Sequence, residues 1–244
     1  MKTDKYQKRF YREWVNAKGL FEARVVVQET DVHILTDKPI DKDFVDEKIR
    51  FYRRQIESYI QKDKRFLTSL KPITVELRAP AIVKAMNQAA SKANVGPMAA
   101  VAGAIAEFLG RDLLKRGYKE VIIENGGDIF LKVLLPRAVG IYAGRVKLSG
   151  KLFLKINPKD SPLGICTSSG SVGHSLSFGN ADSVIIIAKN AVLADAVATA
   201  TANLVQSKKD LPKAIQIARA IKGVRGVVII LKNNLASWGK VEFK

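Results

Sequence analysis

Tyr118–Leu135 reads YKEVIIENGGDIFLKVLL, two apolar runs separated by a short polar centre. Asn-Gly between two apolar runs is a preferred hairpin turn, because glycine accepts the positive φ that a two-residue connection needs. The spacing therefore predicts strands over 118–123 and 129–135, antiparallel and joined through ENGGD. The same pattern recurs on either side. Residues 21–28 and 32–35 make an earlier hairpin, with ETD between them. GIYAGRVKL, KLFLKIN, GICTS and SVIIIAK read as further strands, and GVVIILK with GKVEFK closes the chain as a hairpin through NN. Hairpins outnumber strand–helix–strand units, so the expected fold class is α+β with antiparallel sheets packed against helices.

The helices stand out by their apolar spacing. From Asp41, the segment DKDFVDEKIRFYRRQIESYIQ carries acids early and bases later, with Phe44, Ile49, Tyr52, Ile56 and Ile60 on one face. A second helix begins near Pro80 and is expected to end at Gly96. The third, GPMAAVAGAIAEFLGRDLLKRG, has Pro97 in its first turn and only apolar residues or glycine from Met98 to Ile105, which predicts burial on all sides. Gly103 and its alanine neighbours leave room for another backbone. Asn190 caps a helix running to about Val205, and one more covers 211–221. The order helix, helix, strands occurs around 80–134 and again around 190–243. We therefore read residues 1–244 as one structural unit with two similar halves, about 20–134 and 135–244.

Lys and Arg number 41 against 23 Asp and Glu, a formal charge of +18, while 47% of residues are apolar. That charge favours anionic partners such as phosphates, nucleotides or nucleic acid; a Lys-rich surface of heat-adapted type is the plainer alternative. The bases are spread along the chain and not gathered in one patch, which argues against nucleic acid. Arg145, Lys147, Lys151 and Lys155 alternate with apolar positions, as on the wet face of a hairpin. The first residues, MKTDKYQKRFYREWVN, do not read as a secretory signal, and no uncharged apolar run is long enough to demand a membrane span. A cytoplasmic protein is the expectation. A single cysteine excludes an internal disulfide and a CxxC zinc site.

Three stretches carry candidate chemistry. In ENGGD, Gly126 and Gly127 either serve the turn alone or let a ligand approach the backbone beside Asp128. In KNAVLADAVATATANLV, Asp195, Thr199 and Asn203 lie four apart and share a helix face. That stripe is either the wet side of the helix or the lining of an internal site. No Lys, Arg or Glu occurs between Lys189 and Lys208, although the chain fills its other wet faces with them, and this favours the internal site. A carboxylate plus a hydroxyl suits Mg²⁺ that takes its other ligands from a phosphate. The third stretch, GICTSSGSVGHSLSFGNAD over 164–182, supplies Thr167, Ser168, Ser169, Gly170 and Ser171, a loop able to offer N–H groups and hydroxyls to an anion. His174 is a candidate base, and Cys166 is either a buried inert thiol or a working group. GHSLS falls short of a G-x-S-x-G nucleophile elbow: a strand follows where a helix is required, and no histidine lies downstream.

NGGDI, TSSG…H and ADAVATA, in this order and spacing, resemble the FAD:protein FMN transferase (ApbE-like) superfamily, and VGPMAAVAGAIAE and ENGGDIFL look closest to its cytoplasmic branch. The resemblance covers about residues 95–205. It implies an antiparallel α+β architecture of the T-fold kind and a site for FAD with Mg²⁺. Asp195 and Thr199 match the positions that hold the metal, which grips the FAD pyrophosphate. It further implies that a threonine hydroxyl of an acceptor protein attacks phosphorus, AMP leaves, and FMN is joined to that threonine, with His174 near the family's suspected base. Two departures stand beside this. The histidine stretch lacks the family's Asp-Pro, and the N-terminal section has no clear counterpart. Two further readings remain open from sequence: an enzyme of the same fold using Cys166 as a sulfur or acyl carrier, and a basic nucleic-acid binder. The oligomeric state is open as well, a homo-oligomer included.

Overall fold

A computed structural model describes residues 18–141, 152–169 and 178–242. Eight strands form one antiparallel sheet, with helices on one face and a two-stranded ribbon on the other. In chain order the strands are β1 (Phe21–Val27), β2 (Thr30–Thr36), β3 (Val121–Asn125), β4 (Asp128–Lys132), β5 (Arg137–Gly140), β6 (Phe153–Ile156), β7 (Leu163–Ser168), β8 (Ser183–Ala188), β9 (Val224–Leu231) and β10 (Asn234–Gly239). The helices are α1 (Lys42–Lys62), α2 (Arg65–Thr68), α3 (Ala81–Ala93), α4 (Val101–Lys115), α5 (Ala191–Leu204) and α6 (Leu211–Ala220). The sheet order is β1-β2-β3-β4-β7-β8-β9-β10, and β5 pairs with β6 as the ribbon. The α+β antiparallel class read from the hairpin pattern is the one observed.

Tyr118–Leu135 folds as its turn chemistry requires. Asn125 pairs with Asp128, so Gly126 and Gly127 alone make the turn, with φ of 67° and 103°. Positive φ at both central residues is the two-residue hairpin geometry that suits the twist of the strands, and a Cβ-bearing residue would be strained there. The strands sit slightly later in β3 and earlier in β4 than the apolar runs suggested.

The inner strands explain their composition. SVIIIA in β8 and VVIIL in β9 are apolar on both faces, unlike the alternation usual in an antiparallel sheet. One set of side chains, including Val184, Ile186, Val227 and Ile229, packs under the helices. The other, including Ile185, Ile187, Val228 and Ile230, meets Val139 and Leu154 of the ribbon. The edge strands β1 and β10 keep the half-buried alternation.

Several local expectations shift for physical reasons. Asp41 caps α1 by accepting from the Phe44 N–H at 3.0 Å. The buried face of α1 is Val45, Ile49, Tyr52, Ile56 and Tyr59, so Phe44 and Ile60 lie at its flanks. Helix α3 ends at Asn94, which takes the left-handed conformation at φ 56° two residues before Gly96. Residues 97–100 form a 3₁₀ turn before α4, and Met98, Ala99, Val101 and Ala102 are half-buried, not enclosed. The last hairpin turns at Lys232–Asn233, so NLASWG pairs with β9 and GKVEFK does not supply the strand. Among the described residues no single helix is long and apolar enough to cross a membrane. The α3 and 97–115 pair reaches that composition only across a 104° bend, and most of it lies in the core.

Candidate functional site

Helices α4 and α5 cross over the middle of the sheet, and Gly103 sets how closely. A Cβ built on Gly103 would stand 2.4 Å from the Ala191 carbonyl oxygen and 2.8 Å from the Asp195 Cβ. Only glycine permits that approach. The close crossing lets each helix cap the other. Asp195 on α5 accepts from the Gly103 N–H of the first turn of α4 at 2.8 Å. In return Glu107 on α4 accepts from the Ala191 N–H at 2.6 Å and the Val192 N–H at 3.4 Å, at the start of α5. Asn190 completes that end, its side chain accepting from the Leu193 N–H at 2.9 Å. The unpaired N–H groups at both helix starts thus find carboxylate or amide oxygens.

Beneath the crossing lie the strand ends. Phe130 and Cys166 point to the helices, and by the period of two so do Asp128 and Ser168. Asp128 is only 6% exposed and Ser168 only 4%. Among the described residues Asp128 Oδ1 and Ser168 Oγ have no hydrogen-bond partner. Cys166 is fully buried, its thiol donating to the Ala191 carbonyl at 3.3 Å with the Asp128 carboxylate beside it.

The electrostatics of this cluster disfavour the charged forms of its carboxylates. Burial pushes the Asp128 carboxyl well above its ordinary value, and the charge of Asp195 pushes it further; the Cys166 thiol and the Thr167 N–H pull the other way and lose. Asp195 is half-buried by surface area, yet protein atoms crowd its carboxylate, and that desolvation raises its pKa to about 7. The N–H groups of Gly103 and Ala102 oppose this without cancelling it. Burial also lifts the Cys166 thiol, with the Asp128 and Asp195 charges adding to it, so Cys166 is a protonated thiol and not a poised thiolate.

The sequence-predicted residues fall as follows. Asp128, Cys166, Ser168 and Asp195 meet at the crossing, with Thr199 one turn further along α5 and buried. Gly126 and Gly127 make the turn preceding Asp128, and the Thr167 Cβ lies 4.0 Å from a Cβ built on Gly127. Ser169 ends β7. Gly170, Ser171 and His174 lie outside the described residues, as do Arg145, Lys147 and Lys151. Asn203 accepts from the Phe178 N–H at 2.8 Å, so this end of the stripe holds the chain where it returns from the Gly/Ser stretch. Sequence reading missed Glu107. The signal was present: a lone carboxylate among buried alanines needs donors, and helix starts supply them.

Residues 12–237 match the family described as AbpE bacteria. The chain belongs to that family. Relatives in it carry the name UPF0280 protein: one from Methanococcus vannielii is 40% identical over 226 residues, covering 91% of this chain and 92% of that protein. One from Methanocella arvoryzae is 38% identical over 219 residues, covering 90% and 89%. Among solved structures, the flavin transferase ApbE from Vibrio cholerae superposes with a TM-score of 0.63 at 15% identity, over 90% of this chain and 96% of that one. The apo form of Pseudomonas stutzeri flavinyl transferase ApbE gives 0.59 at 13%, over 90% and 94%. At such identities the likeness is one of fold, and the AbpE family member described here shares the ApbE architecture.

The donor set fits a hard divalent cation. Asp128, Asp195, Thr199 and Ser168 offer oxygens only, and among the described residues two of those oxygens, Asp128 Oδ1 and Ser168 Oγ, are buried without a hydrogen-bond partner. Among the described residues no three His, Cys, Asp or Glu side chains are placed to hold a metal on their own. A cation held here would need its remaining ligands from water or from a bound phosphate, as Mg²⁺ commonly does.

Proposed function

We propose that this AbpE family member binds a flavin nucleotide, FAD, through its pyrophosphate together with Mg²⁺ at the α4–α5 crossing. The observation that carries the reading is the pair Asp128 and Asp195: two carboxylates desolvated together, one with an orphaned oxygen. A buried charge without a partner is costly, so a fold keeps such a pair where a cation is to be held. Asp195 and Thr199 hold the metal and Asp128 stands across from them. When bound, Mg²⁺ neutralises charge on the pyrophosphate. Thr167, Ser168 and Ser169 at the end of β7, with the Gly126–Gly127 backbone, border the phosphates. The family likeness, and the flavin transferase activity for which the fold neighbours are named, support a flavin as the nucleotide.

The full activity proposed is transfer of FMN from FAD to a threonine of an acceptor protein. The threonine Oγ–P bond forms, the P–O bond to AMP breaks, and the hydroxyl proton passes to a base, a role we give to His174. The alternative of Cys166 as a sulfur or acyl carrier finds no support in its surroundings, because the thiol is enclosed and held protonated. Thermal unfolding tests the proposal. FAD with Mg²⁺ stabilises the unaltered protein by mass action, by about 2.7 kcal/mol at a hundredfold excess over Kd, and so raises its Tm. Asp195→Ala abolishes that rise. An equal rise in both proteins refutes the assignment.

A further inference from the structure

Phe178 lies where the chain returns from the Gly/Ser stretch, and it is 59% exposed. Such a ring gains little from the core, so the backbone beneath it needs no particular rigidity. Yet five hydrogen bonds fix that backbone to the end of α5. The Phe178 N–H donates to Asn203 Oδ1 and its carbonyl accepts from Gln206 Nε2, both at 2.8 Å. The Asn180 N–H donates to the Val205 carbonyl at 2.7 Å. Asn180 Nδ2 reaches the Gln206 carbonyl at 3.1 Å and Gln206 Oε1 at 3.2 Å. Between them, Gly179 lies so close that a Cβ would stand 1.8 Å from the Ala202 carbonyl oxygen. The backbone that carries an exposed aromatic ring is thus pinned to the helix that carries Asp195 and Thr199. Asn203, the third residue of that stripe, is spent on pinning it.

We infer that Phe178 is the stacking platform for a planar heteroaromatic ring of the nucleotide whose phosphates sit at Asp195. The inference rests on the proposed phosphate site. From Asp195 to Asn203 the helix rises about 12 Å at 1.5 Å per residue, a separation suited to phosphates at one end and a ring at the other. An aromatic residue whose backbone is fixed before binding has only its side-chain torsions left to order when a ring stacks on it, and stacking accepts any flat π-system.

The test measures binding of FAD, FMN, ADP and inorganic pyrophosphate, each with Mg²⁺, to the unaltered protein, Phe178→Ala and Phe178→Trp. Phe178→Ala is expected to weaken FAD about tenfold and to leave pyrophosphate affinity and Tm unchanged. Phe178→Trp keeps FAD affinity, and its indole emission is quenched on binding. A loss shared by FMN assigns the stacked ring to the isoalloxazine; a loss shared by ADP assigns it to adenine. Unchanged FAD affinity in Phe178→Ala overturns this inference and leaves the phosphate site standing. Equal loss of FAD and pyrophosphate also overturns it, since the residue would then act only by shaping the loop. Failure of the unaltered protein to bind either FAD or pyrophosphate overturns the phosphate site itself, and this inference with it.

Discussion

Helices α4 and α5 bury carboxylates in two places, and the two are treated in opposite ways. Glu107 accepts from two backbone N–H groups at the start of α5, and Arg111 pairs with it at 2.7 Å. Each of its oxygens has a donor. Asp195, one turn into α5, has the Gly103 N–H, but Asp128 opposes it with a second carboxylate and an orphaned oxygen. Both carboxylate environments are built by the same helix crossing, so crowding alone does not explain the difference. Both oxygens of Glu107 have donors, whereas Asp128 is left with one oxygen bare despite the Thr167 N–H and the Cys166 thiol beside it. The first arrangement is what a structural charge needs; the second leaves a deficit that the proposed cation would remove.

Removing the satisfied carboxylate should have the largest effect on stability. Glu107→Ala strips the Ala191 and Val192 N–H groups of their acceptor in a buried position. Arg111 is half-exposed and can rehydrate, so its loss adds less. The expected cost is about 3 kcal/mol, read from urea unfolding. A loss under about 1 kcal/mol would mean that the reciprocal capping contributes little, and the contrast drawn above would fail.

The unsatisfied pair should respond to pH, with a smaller effect and the opposite sign on mutation. The folded-state pKa of Asp195 lies near 7, above its ordinary value, and Asp128 is raised as well. In that window the folded protein holds protons that the unfolded chain has lost. Metal-free protein therefore gains stability as pH falls from about 8 to about 5.5. The carboxylates whose pKa is lowered, Glu29, Asp63 and Asp210, withdraw their contribution only at more acid pH, so they leave this window untouched. Asp128→Asn should flatten the dependence and raise the metal-free Tm at about pH 8 by a few degrees. It should also reduce the Tm rise produced by FAD with Mg²⁺. A variant less stable than the unaltered protein at that pH would show Asp128 to be satisfied after all.

How legible all this was from sequence depends on the range of the signal. The Gly126–Gly127 turn, the Asn190 and Asp41 caps and the α5 stripe are local, and each was readable from residues within one or two turns. Ending α3 at Gly96 failed because Asn94 is itself able to take the left-handed conformation, and the chain used the nearer stop. Placing the last strand at GKVEFK failed because the two-residue turn lets pairing begin at Asn234, so the register followed the turn and not the apolar run. The long-range facts were not written locally. That Asp128 faces Asp195 depends on β4 and α5 meeting through sixty-odd intervening residues. That both faces of β8 and β9 are covered depends on the β5–β6 ribbon folding back over them.

Cys166 offers the finest test, because it lies between the two kinds of carboxylate and belongs to neither. Its thiol donates to the Ala191 carbonyl and borders Asp128, and burial keeps it protonated. As packing alone, replacing it by alanine removes one sulfur atom from a closed site and costs about 1 kcal/mol. Losing a neighbour that lowers the Asp128 pKa leaves that carboxyl, if anything, easier to protonate, so the pH dependence of the metal-free protein should persist in Cys166→Ala. Stabilisation by FAD with Mg²⁺ should persist too, because a neutral soft thiol is a poor partner for a hard cation. If the folded variant lost that stabilisation while keeping its pH dependence, Cys166 would touch the ligand and the site would have to be redrawn around sulfur.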